Sequence, residues 1–300
     1  MPEIKLITTA HDHWQYEPSS NANLDEKTYR AVPALNPSAL VAGIVDTGNP
    51  NPSAVKAAFE NNNDNKTAAE KDRLAKGQLA HAMLLEPETI EGRFVAWEGG
   101  VRKGEVWELF NQKHIGKVIV KDADWEQTDK AIRELSKIDR LNELFLGKDC
   151  QHEVSLFGQW GSLYLKGRID AGVLNDIQPR IPDFKTTEAG ISDYEVERTC
   201  RMMKYREKTA FYQQLASQIL GISPEAIEVY IVFAKMSPPY GLNIKKLTYD
   251  CYQFGWSRCE EVLKSVEFAV HHDRWPVWIS DGFLGLSSFE AQDVEIGEAL

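Results

Sequence analysis

Apolar and polar residues alternate along three consecutive stretches between residues 150 and 187, and this period of two predicts β-strands. The stretches are CQHEVSLFGQW, SLYLKGRIDAGVL and IPDFKTT, and short turns separate them. A further strand is predicted by the apolar run AIEVYIVFAKM, and another by PPYGLNIKKLTY, which also contains a turn. The first three strands should form a meander, in which each strand pairs with the next.

Apolar residues spaced three or four apart predict helices on both sides of these strands. AAEKDRLAKGQLAHAMLLE should form a helix that ends at Pro87, and residues 105–147 should be mostly helical. After the third strand, one long helix is expected over residues 192–220, and the last helix should be DCYQFGWSRCEEVLKSVEFAV. Helices combined with a strand meander predict a mixed α/β (α+β) fold.

The length of 300 residues suits one large domain or two small ones. We interpret residues 1–300 as a single domain made of three parts. A mainly helical N-terminal part covers residues 1–148, a strand-rich core covers residues 149–278, and an acidic tail covers residues 279–300.

The hydrophobic segments, the cysteines and the net charge of the chain argue against several classes of protein. No stretch approaches the roughly 18–20 apolar residues of a membrane span, and the segment MPEIKLITTA lacks the layout of a signal peptide. We therefore expect a cytoplasmic location and no membrane partner. The four cysteines lack the spacing of a zinc or iron–sulfur site. The net charge of −11 argues against non-specific coating of nucleic acid, but it leaves a local binding site open.

Candidate chemistry lies on the three predicted strands. Asp183 and Lys185 are two positions apart, so their side chains should point to the same face. In a meander, Asp170 on the second strand and Glu153 on the first can converge on that face. Three carboxylates beside a lysine are costly unless a hard divalent cation such as Mg²⁺ neutralises them. The set would make a workable phosphodiesterase centre, whereas the alternative for Asp183 and Lys185 is a surface ion pair.

Several segments of the sequence resemble a known family. GRIDAG followed by IPDFKTT resembles the signature of the PD-(D/E)xK nuclease superfamily. More narrowly, PALNPSALVAGI, KGQLAHAMLLEPE, HEVSLFG, KYREKTAFYQQLA, YIVFAKMSPPYGLNIKKL and DRWPVW resemble, in this order, blocks of RecE-type (exodeoxyribonuclease VIII-like) phage and prophage exonucleases. The resemblance covers residues 30–278 and implies a PD-(D/E)xK nuclease-like core, with a central mixed sheet flanked by helices and an N-terminal helical region.

The resemblance also implies roles for individual residues. Asp170 and Asp183 would bind Mg²⁺, with Mn²⁺ as a substitute, and the backbone carbonyl of Phe184 would contribute. Lys185 would be the catalytic lysine that orients the attacking water. Two further candidate metal ligands match family positions on the first strand and on the early helix, and they are Glu153 and His81.

The activity implied by the resemblance is exonucleolytic hydrolysis of linear double-stranded DNA, with resection of the 5′-ended strand for phage-type recombination. The implied partners are a single-strand annealing recombinase and further copies of the chain in a ring-shaped homo-oligomer. Two alternatives stay open. One is a catalytically weakened DNA-binding protein of the same fold, and the other is a PD-(D/E)xK endonuclease.

One position departs from the family pattern. The helix after the third strand usually carries Tyr-x-x-Gln-x-x-x-Tyr, but here YREKTAFY places Lys208 where glutamine is usual. On a continuous helix, a basic and aromatic face would form, made of Arg201, Tyr205, Lys208 and Tyr212. We expect this face to bind DNA together with Arg168 from the second strand, although a solvated helix face would show the same pattern.

Overall fold

The computed structural model describes residues 19–21, 24–46, 49–60, 66–175 and 177–276. The strands are β1 (Ser19–Asn21), β2 (Phe94–Trp97), β3 (Val118–Lys121), β4 (Gln151–Trp160), β5 (Leu163–Gly172), β6 (Arg180–Thr187), β7 (Glu228–Lys235) and β8 (Gly241–Lys246). The helices are α1 (Glu26–Ala31), α2 (Pro37–Leu40), α3 (Pro52–Glu60), α4 (Ala68–Leu85), α5 (Ile90–Arg93), α6 (Glu105–Lys113), α7 (Asp122–Leu135), α8 (Asp139–Phe145), α9 (Asp193–Met202), α10 (Tyr205–Leu220) and α11 (Tyr249–His271). Short 3₁₀ turns cover Val41–Gly43, Pro87–Thr89 and Pro224–Ala226. The acidic tail expected over residues 279–300 lies outside the described residues.

The strands form two three-stranded sheets and one pair. The orders are β1-β4-β5 and β6-β7-β8, and β2 pairs with β3 in parallel. In the second sheet β6 runs parallel to β7, which runs antiparallel to β8. The pattern of alternation therefore located β4 to β8 correctly. It did not indicate β2 and β3, which interrupt the otherwise helical part before β4.

The expected meander is correct for β4 and β5 but wrong for β6. β4 and β5 pair antiparallel, whereas β6 takes β7 as its partner and meets β5 through a single bridge between Val173 and Arg180. Beyond that bridge, the carboxylate of Asp170 accepts a hydrogen bond of 2.8 Å from the backbone N–H of Phe184. The Asp170 side chain thus occupies the N–H group of Phe184 that a backbone carbonyl of β5 would otherwise accept. The two strands β5 and β6 diverge at this point.

The long helix expected over residues 192–220 is also wrong, because the chain forms two helices there. α9 ends at Met202 and α10 begins at Tyr205, and Lys204 between them has a left-handed backbone with φ of 53°. The side chain of Lys204 forms an ion pair with Asp46, which also pairs with Arg258. These contacts hold a backbone conformation that lysine adopts at a cost.

Both faces of the sheets are covered by helices. On one face α10 packs on β4 and β5, and α11 packs on α10; their buried residues include Phe211, Leu215 and Leu263. On the other face α4, α7 and α8 pack around Phe184 and Val232 of the second sheet. Apolar residues on both faces of the strands explain this layered arrangement, which is a mixed α/β fold preceded by a mainly helical region. Within the described part of the chain, no helix is long and apolar enough to cross a membrane.

The contact between α10 and α11 depends on a glycine. A Cβ atom at Gly255 would lie 2.5 Å from the backbone carbonyl oxygen of Arg206, so only glycine lets the two helices approach this closely. Gly255→Ala should lower the free energy of unfolding by about 1–3 kcal/mol, because backbone atoms must move.

Gly77, in the interior of α4, is the matched control for this prediction. A Cβ there would meet Thr186 at an ordinary distance of 3.6 Å. Gly77→Ala should therefore keep or raise stability by up to about 1 kcal/mol through helix propensity. Urea unfolding of both variants provides the measurement, and equal effects of the two substitutions would contradict the close approach of α10 and α11.

Candidate metal centre and active site

The centre of the candidate site is the ion pair between Asp183 and Lys185 on β6. Their side chains lie on the same face of the strand, with Lys185 Nζ 2.6 Å from Asp183 Oδ2. Asp183 is buried, at 6% exposure, and burial raises the pKa of its carboxyl group while Lys185 opposes this shift. Burial also disfavours the charge on Lys185, but the neighbouring carboxylates outweigh it and raise the pKa of the lysine above its usual range. Lys185 is therefore a cation at neutral pH.

Asp170 on β5 joins this pair across the gap between β5 and β6. Its Oδ2 atom lies 3.7 Å from Lys185 Nζ and 3.7 Å from His81 Nδ1. The same oxygen accepts the backbone N–H of Phe184, which fixes the direction of the carboxylate. The charge of Asp170 adds to the raised pKa of Asp183. Two carboxylates, Asp170 and Asp183, thus face the ammonium group of Lys185.

His81 reaches the site from α4. This helix begins with a capping box between Thr67 and Glu70, which satisfies free N–H groups of its first turn. Its buried face packs Ala80 and Leu84 against the second sheet. The His81 ring meets the ring of Phe184 edge to face, with centroids 5.3 Å apart. Packing against β6 therefore directs this histidine to the metal centre rather than into the core.

Glu153 on β4 has an unusual backbone. The neighbouring residues of Glu153 on β4 pair with the neighbouring residues of Asp170 on β5, so Glu153 lies opposite Asp170. The φ angle of Glu153 is 49°, in the left-handed region. Such a conformation costs a non-glycine residue of order 1–3 kcal/mol and is often found at functional sites. Arg168 Nε donates a hydrogen bond of 2.9 Å to Glu153 Oε2. Burial raises the pKa of Glu153 to about 7, and the charge of Asp170 adds to this shift, whereas Arg168 opposes it.

These side chains fit a divalent cation. One ligand atom each from His81, Glu153 and Asp170 lie within 4.8 Å of one another. The two carboxylates are ligands that Mg²⁺ and Mn²⁺ prefer, and these cations also keep water ligands, whereas the imidazole is a ligand that other divalent metals share. Burial is the main cause of the raised pKa of Asp183 and Glu153, and a cation would offset the repulsion from Asp170 that adds to it. Three residues of the predicted set, His81, Glu153 and Asp170, are thus brought together. Asp183 lies outside this group and is linked to Asp170 through Lys185, and the carbonyl of Phe184 is 3.4 Å from Lys185 Nζ.

The residues expected to bind DNA are distributed differently from the prediction. The ring of Tyr205, at the start of α10, makes cation–π contacts with two lysines. Lys185 Nζ and Lys208 Nζ each lie 5.5 Å from the ring centroid. Burial raises the pKa of Tyr205 and lowers that of Lys208. These two residues border the metal centre. Lys208, at the position where the family has glutamine, therefore adds a positive charge next to Lys185.

Tyr212 and Arg201 do not continue this surface. Tyr212 packs against Gly167 so closely that a Cβ at Gly167 would lie 2.9 Å from its ring, and this tyrosine contributes to the core. Arg201 is exposed on α9, the other side of the break at Lys204. The expectation of one continuous face is therefore wrong, because the helix that would carry it is broken.

Arg168 is also placed differently from the prediction. Its guanidinium is largely buried and donates to Glu153, Ser155 Oγ and the carbonyl of Leu24. A guanidinium committed to three acceptors has little capacity left for a phosphate. The structure assigns Arg168 to the orientation of Glu153 and to the attachment of the segment that precedes α1.

Arg168→Gln should lower the free energy of unfolding in EDTA by about 2 kcal/mol, because Glu153 loses its cation beside Asp170. DNA affinity in EDTA should stay within about twofold, since no phosphate contact is lost. Arg140→Gln serves as the control, because its ion pair with Glu143 is solvent-exposed and should contribute less than about 1 kcal/mol. Weaker DNA binding at unchanged stability would instead favour a direct contact of Arg168 with DNA.

Comparison with known families identifies this architecture. The model of a PDDEXK-like domain of unknown function, DUF3799, matches residues 51–280, which include the whole candidate metal centre. The chain belongs to this PDDEXK-like family. The match confirms the prediction, based on GRIDAG and IPDFKTT, that the chain belongs to the PD-(D/E)xK superfamily. A search of curated proteins finds no match.

One solved structure shares this fold over most of its length. A crystal structure from Eubacterium rectale, of a protein described as a candidate exonuclease, superposes with a TM-score of 0.55 at 12% identity, covering 91% of this chain and 98% of that chain. At this identity the likeness shows a shared fold. A second crystal structure, of the protein SSO0001, has a TM-score of 0.26 at 11% identity, covering 67% of this chain and 87% of that chain, and supports no argument.

Proposed function

We propose that this protein is a Mg²⁺-dependent deoxyribonuclease that degrades linear double-stranded DNA from its ends. The observation that carries the proposal is the convergence of Asp170, Asp183 and Lys185 in the gap between β5 and β6, with Glu153 and His81 beside them. A half-buried lysine among carboxylates from three strands is an arrangement that hydrolysis of a phosphodiester can use.

The side chains have separate tasks in this proposal. Asp170, Glu153 and His81 would hold the cation, and Asp183 would complete the set from β6. Mg²⁺ would supply a Lewis acid that neutralises charge on the scissile phosphate, and Mn²⁺ would substitute for it. Lys185 stays protonated because carboxylates surround it, so it acts as a donor. It orients the attacking water and stabilises negative charge on the phosphate, rather than removing a proton.

Residues beside the metal centre would position the DNA. Tyr205 and Lys208 border the site, and Lys208 can contact a phosphate next to the scissile one. Lys208 is half-buried beside the ring of Tyr205, so a phosphate there would meet a partly desolvated charge. The lysine in place of glutamine therefore strengthens substrate binding in this proposal and removes no metal ligand.

The narrower parts of the proposal rest on the resemblance to RecE-type exonucleases. They are resection of the 5′-ended strand for recombination, cooperation with a single-strand annealing recombinase, assembly into a ring, and a single nuclease domain over residues 1–300. The description of the Eubacterium rectale protein as a candidate exonuclease supports the exonucleolytic mode.

Digestion of three DNA substrates tests the proposal. Linear duplex, linear single strand and covalently closed circle are incubated with the protein in Mg²⁺ or in EDTA, with a distinct label at each duplex end. We expect mononucleotides from the 5′-ended strands of linear duplex in Mg²⁺ only. Nicking of the closed circle with intact linear ends would identify an endonuclease. Binding without degradation in Mg²⁺ and Mn²⁺ would identify a DNA-binding protein.

A further inference from the structure

The outer face of α9 combines cations with exposed aromatic and thioether side chains. Val196 and Cys200, four positions apart, are the buried side of this helix. The opposite side is formed by residues at helical spacing, and they are Tyr194, Arg198, Arg201 and Met202. We call these four residues the α9 outer face. Tyr194 is 76% exposed and Met202 is 64% exposed, which is unusual for large apolar side chains.

Within the described part of the chain, the two arginines of the α9 outer face have no partner. The acidic residues of α9 are otherwise engaged, since Asp193 pairs with Lys245 and Glu197 pairs with Arg206. Glu195 completes the capping box at the start of the helix. Among the described residues, no hydrogen bond or ion pair engages the Arg198 or Arg201 side chains. Two free guanidinium groups on a chain with a net charge of −11 form a local positive surface.

The helix α9 lies next to the candidate metal centre, and its outer face is turned away from the sheet. The buried side of α9 packs on Ile231 and Phe233 of β7. These two residues are the register partners of Asp183 and Lys185 on β6. The chain then passes from the end of α9 through Lys204 to Tyr205, whose ring lies 5.5 Å from Lys185 Nζ. The four residues thus lie along a helix about 15 Å long, whose C-terminal end leads to the rim of the site.

We propose that the α9 outer face binds single-stranded DNA beside the metal centre. This inference rests on the proposed function, because resection leaves one strand unpaired at that place. Arginines contact successive phosphates, while Tyr194 and Met202 offer surfaces on which bases stack or pack. Bases are available for stacking only when they are unpaired, so exposed Tyr194 favours single-stranded over duplex DNA. The guanidinium groups complement the repeated negative charge of a phosphate backbone, and the adjacent apolar side chains complement unpaired bases.

The test is DNA binding in EDTA, where hydrolysis does not occur. Fluorescence anisotropy of a labelled single-stranded oligonucleotide is measured over a range of salt concentrations. Arg198→Gln/Arg201→Gln should lower the slope of log affinity against log salt by about 1.4, for two lost phosphate contacts. Tyr194→Ala should weaken binding at least about tenfold at every salt concentration, because the lost stacking does not depend on charge. Duplex binding should change less in Tyr194→Ala than single-strand binding.

A matched control removes two arginines elsewhere. Arg133 and Arg140 are exposed on α7 and α8 and pair with acidic neighbours on their own helices. Arg133→Gln/Arg140→Gln changes the net charge equally and should leave the slope unchanged. Equal effects of the two double variants would overturn the proposal, as would an absence of single-strand binding by the unaltered protein. Metal-dependent digestion of linear duplex would still occur in either case if the proposed function is correct, so the two failures are distinguishable.

Discussion

Asp170→Asn is expected to reduce Mg²⁺-dependent degradation of linear duplex by about 10³-fold, the size of effect that follows removal of a group stabilising transition-state charge. Asparagine has nearly the same shape, and its carbonyl oxygen can still accept the backbone N–H of Phe184, which Asp170 accepts at 2.8 Å. The fold should therefore persist. The negative charge that holds the cation next to His81 and Lys185 is lost, so the rate falls because of a weaker metal site and not because of unfolding.

Two measurements separate these causes. The rate of release of end-labelled nucleotides gives the activity, and the increase in Tm on addition of Mg²⁺ gives the metal binding. Both should be lost in Asp170→Asn. Asp129→Asn is the control, because Asp129 is an exposed residue paired with Arg133 on α7. Full activity in Asp170→Asn would contradict the proposed catalytic role of Asp170.

Lys185→Met should both inactivate the protein and destabilise it. Without the lysine, Asp183 is a buried carboxylate with no cation 2.6 Å away, and Asp170 is its neighbour. Breaking a buried pair in this way costs about 3–5 kcal/mol of unfolding free energy. Activity should fall by about 10³-fold, since no donor remains to orient water and stabilise phosphate charge.

The stability loss in Lys185→Met should depend on pH. Burial raises the pKa of Asp183 in the folded protein, and loss of the lysine raises it further. The folded state then holds a proton more tightly than the unfolded state does. Stability therefore falls as pH rises through the interval between the unfolded and folded pKa values. Urea unfolding in EDTA should show a larger loss at pH 8 than at pH 5.

A double variant separates the two roles of Lys185. Lys185→Met/Asp183→Asn removes the uncompensated carboxylate, so most of the lost stability should return at pH 8. Activity should not return, because the donor and a candidate metal ligand are both absent. Recovery of activity together with stability would show that Lys185 serves the fold alone.

The sequence predicted those parts of the site that depend on local periodicity. Asp183 and Lys185 are two positions apart on a strand, so their shared face follows from backbone geometry. α4 ends before Pro87 as expected, because proline disfavours a helical residue before it. The position of His81 in the site followed only from the resemblance, since a helical histidine beside apolar residues gives no such signal by itself.

Features that depend on long-range contacts were not predictable in this way. β6 pairs with β7, more than forty positions later in the sequence, and alternation within a strand carries no information on its partner. The left-handed backbone of Glu153 results from contacts with Arg168 and from its place opposite Asp170. Neither can be inferred from the residue type, because glutamate rarely adopts this conformation.

The break at Lys204 explains the error in the predicted DNA-binding face. No glycine or proline marks it, and the lysine is held in place by Asp46, far away in the sequence. The prediction assumed that one helix continued from Arg201 into α10. It therefore placed residues of two different helices on one face. The apolar pair of Val196 and Cys200 was the available signal, because it defines the buried side of α9 and hence its outer face.

A crystal structure of the protein with bound Mn²⁺, with the cation located by its anomalous scattering, tests the central claim most directly. The account predicts a peak between β5 and β6, within about 2.5 Å of a carboxylate oxygen of Asp170 and of a ligand atom from Glu153 or His81. It also predicts that the peak disappears in Asp170→Asn. A protein that degrades DNA in Mn²⁺ but shows no cation at this position, or binds it elsewhere, would contradict the account.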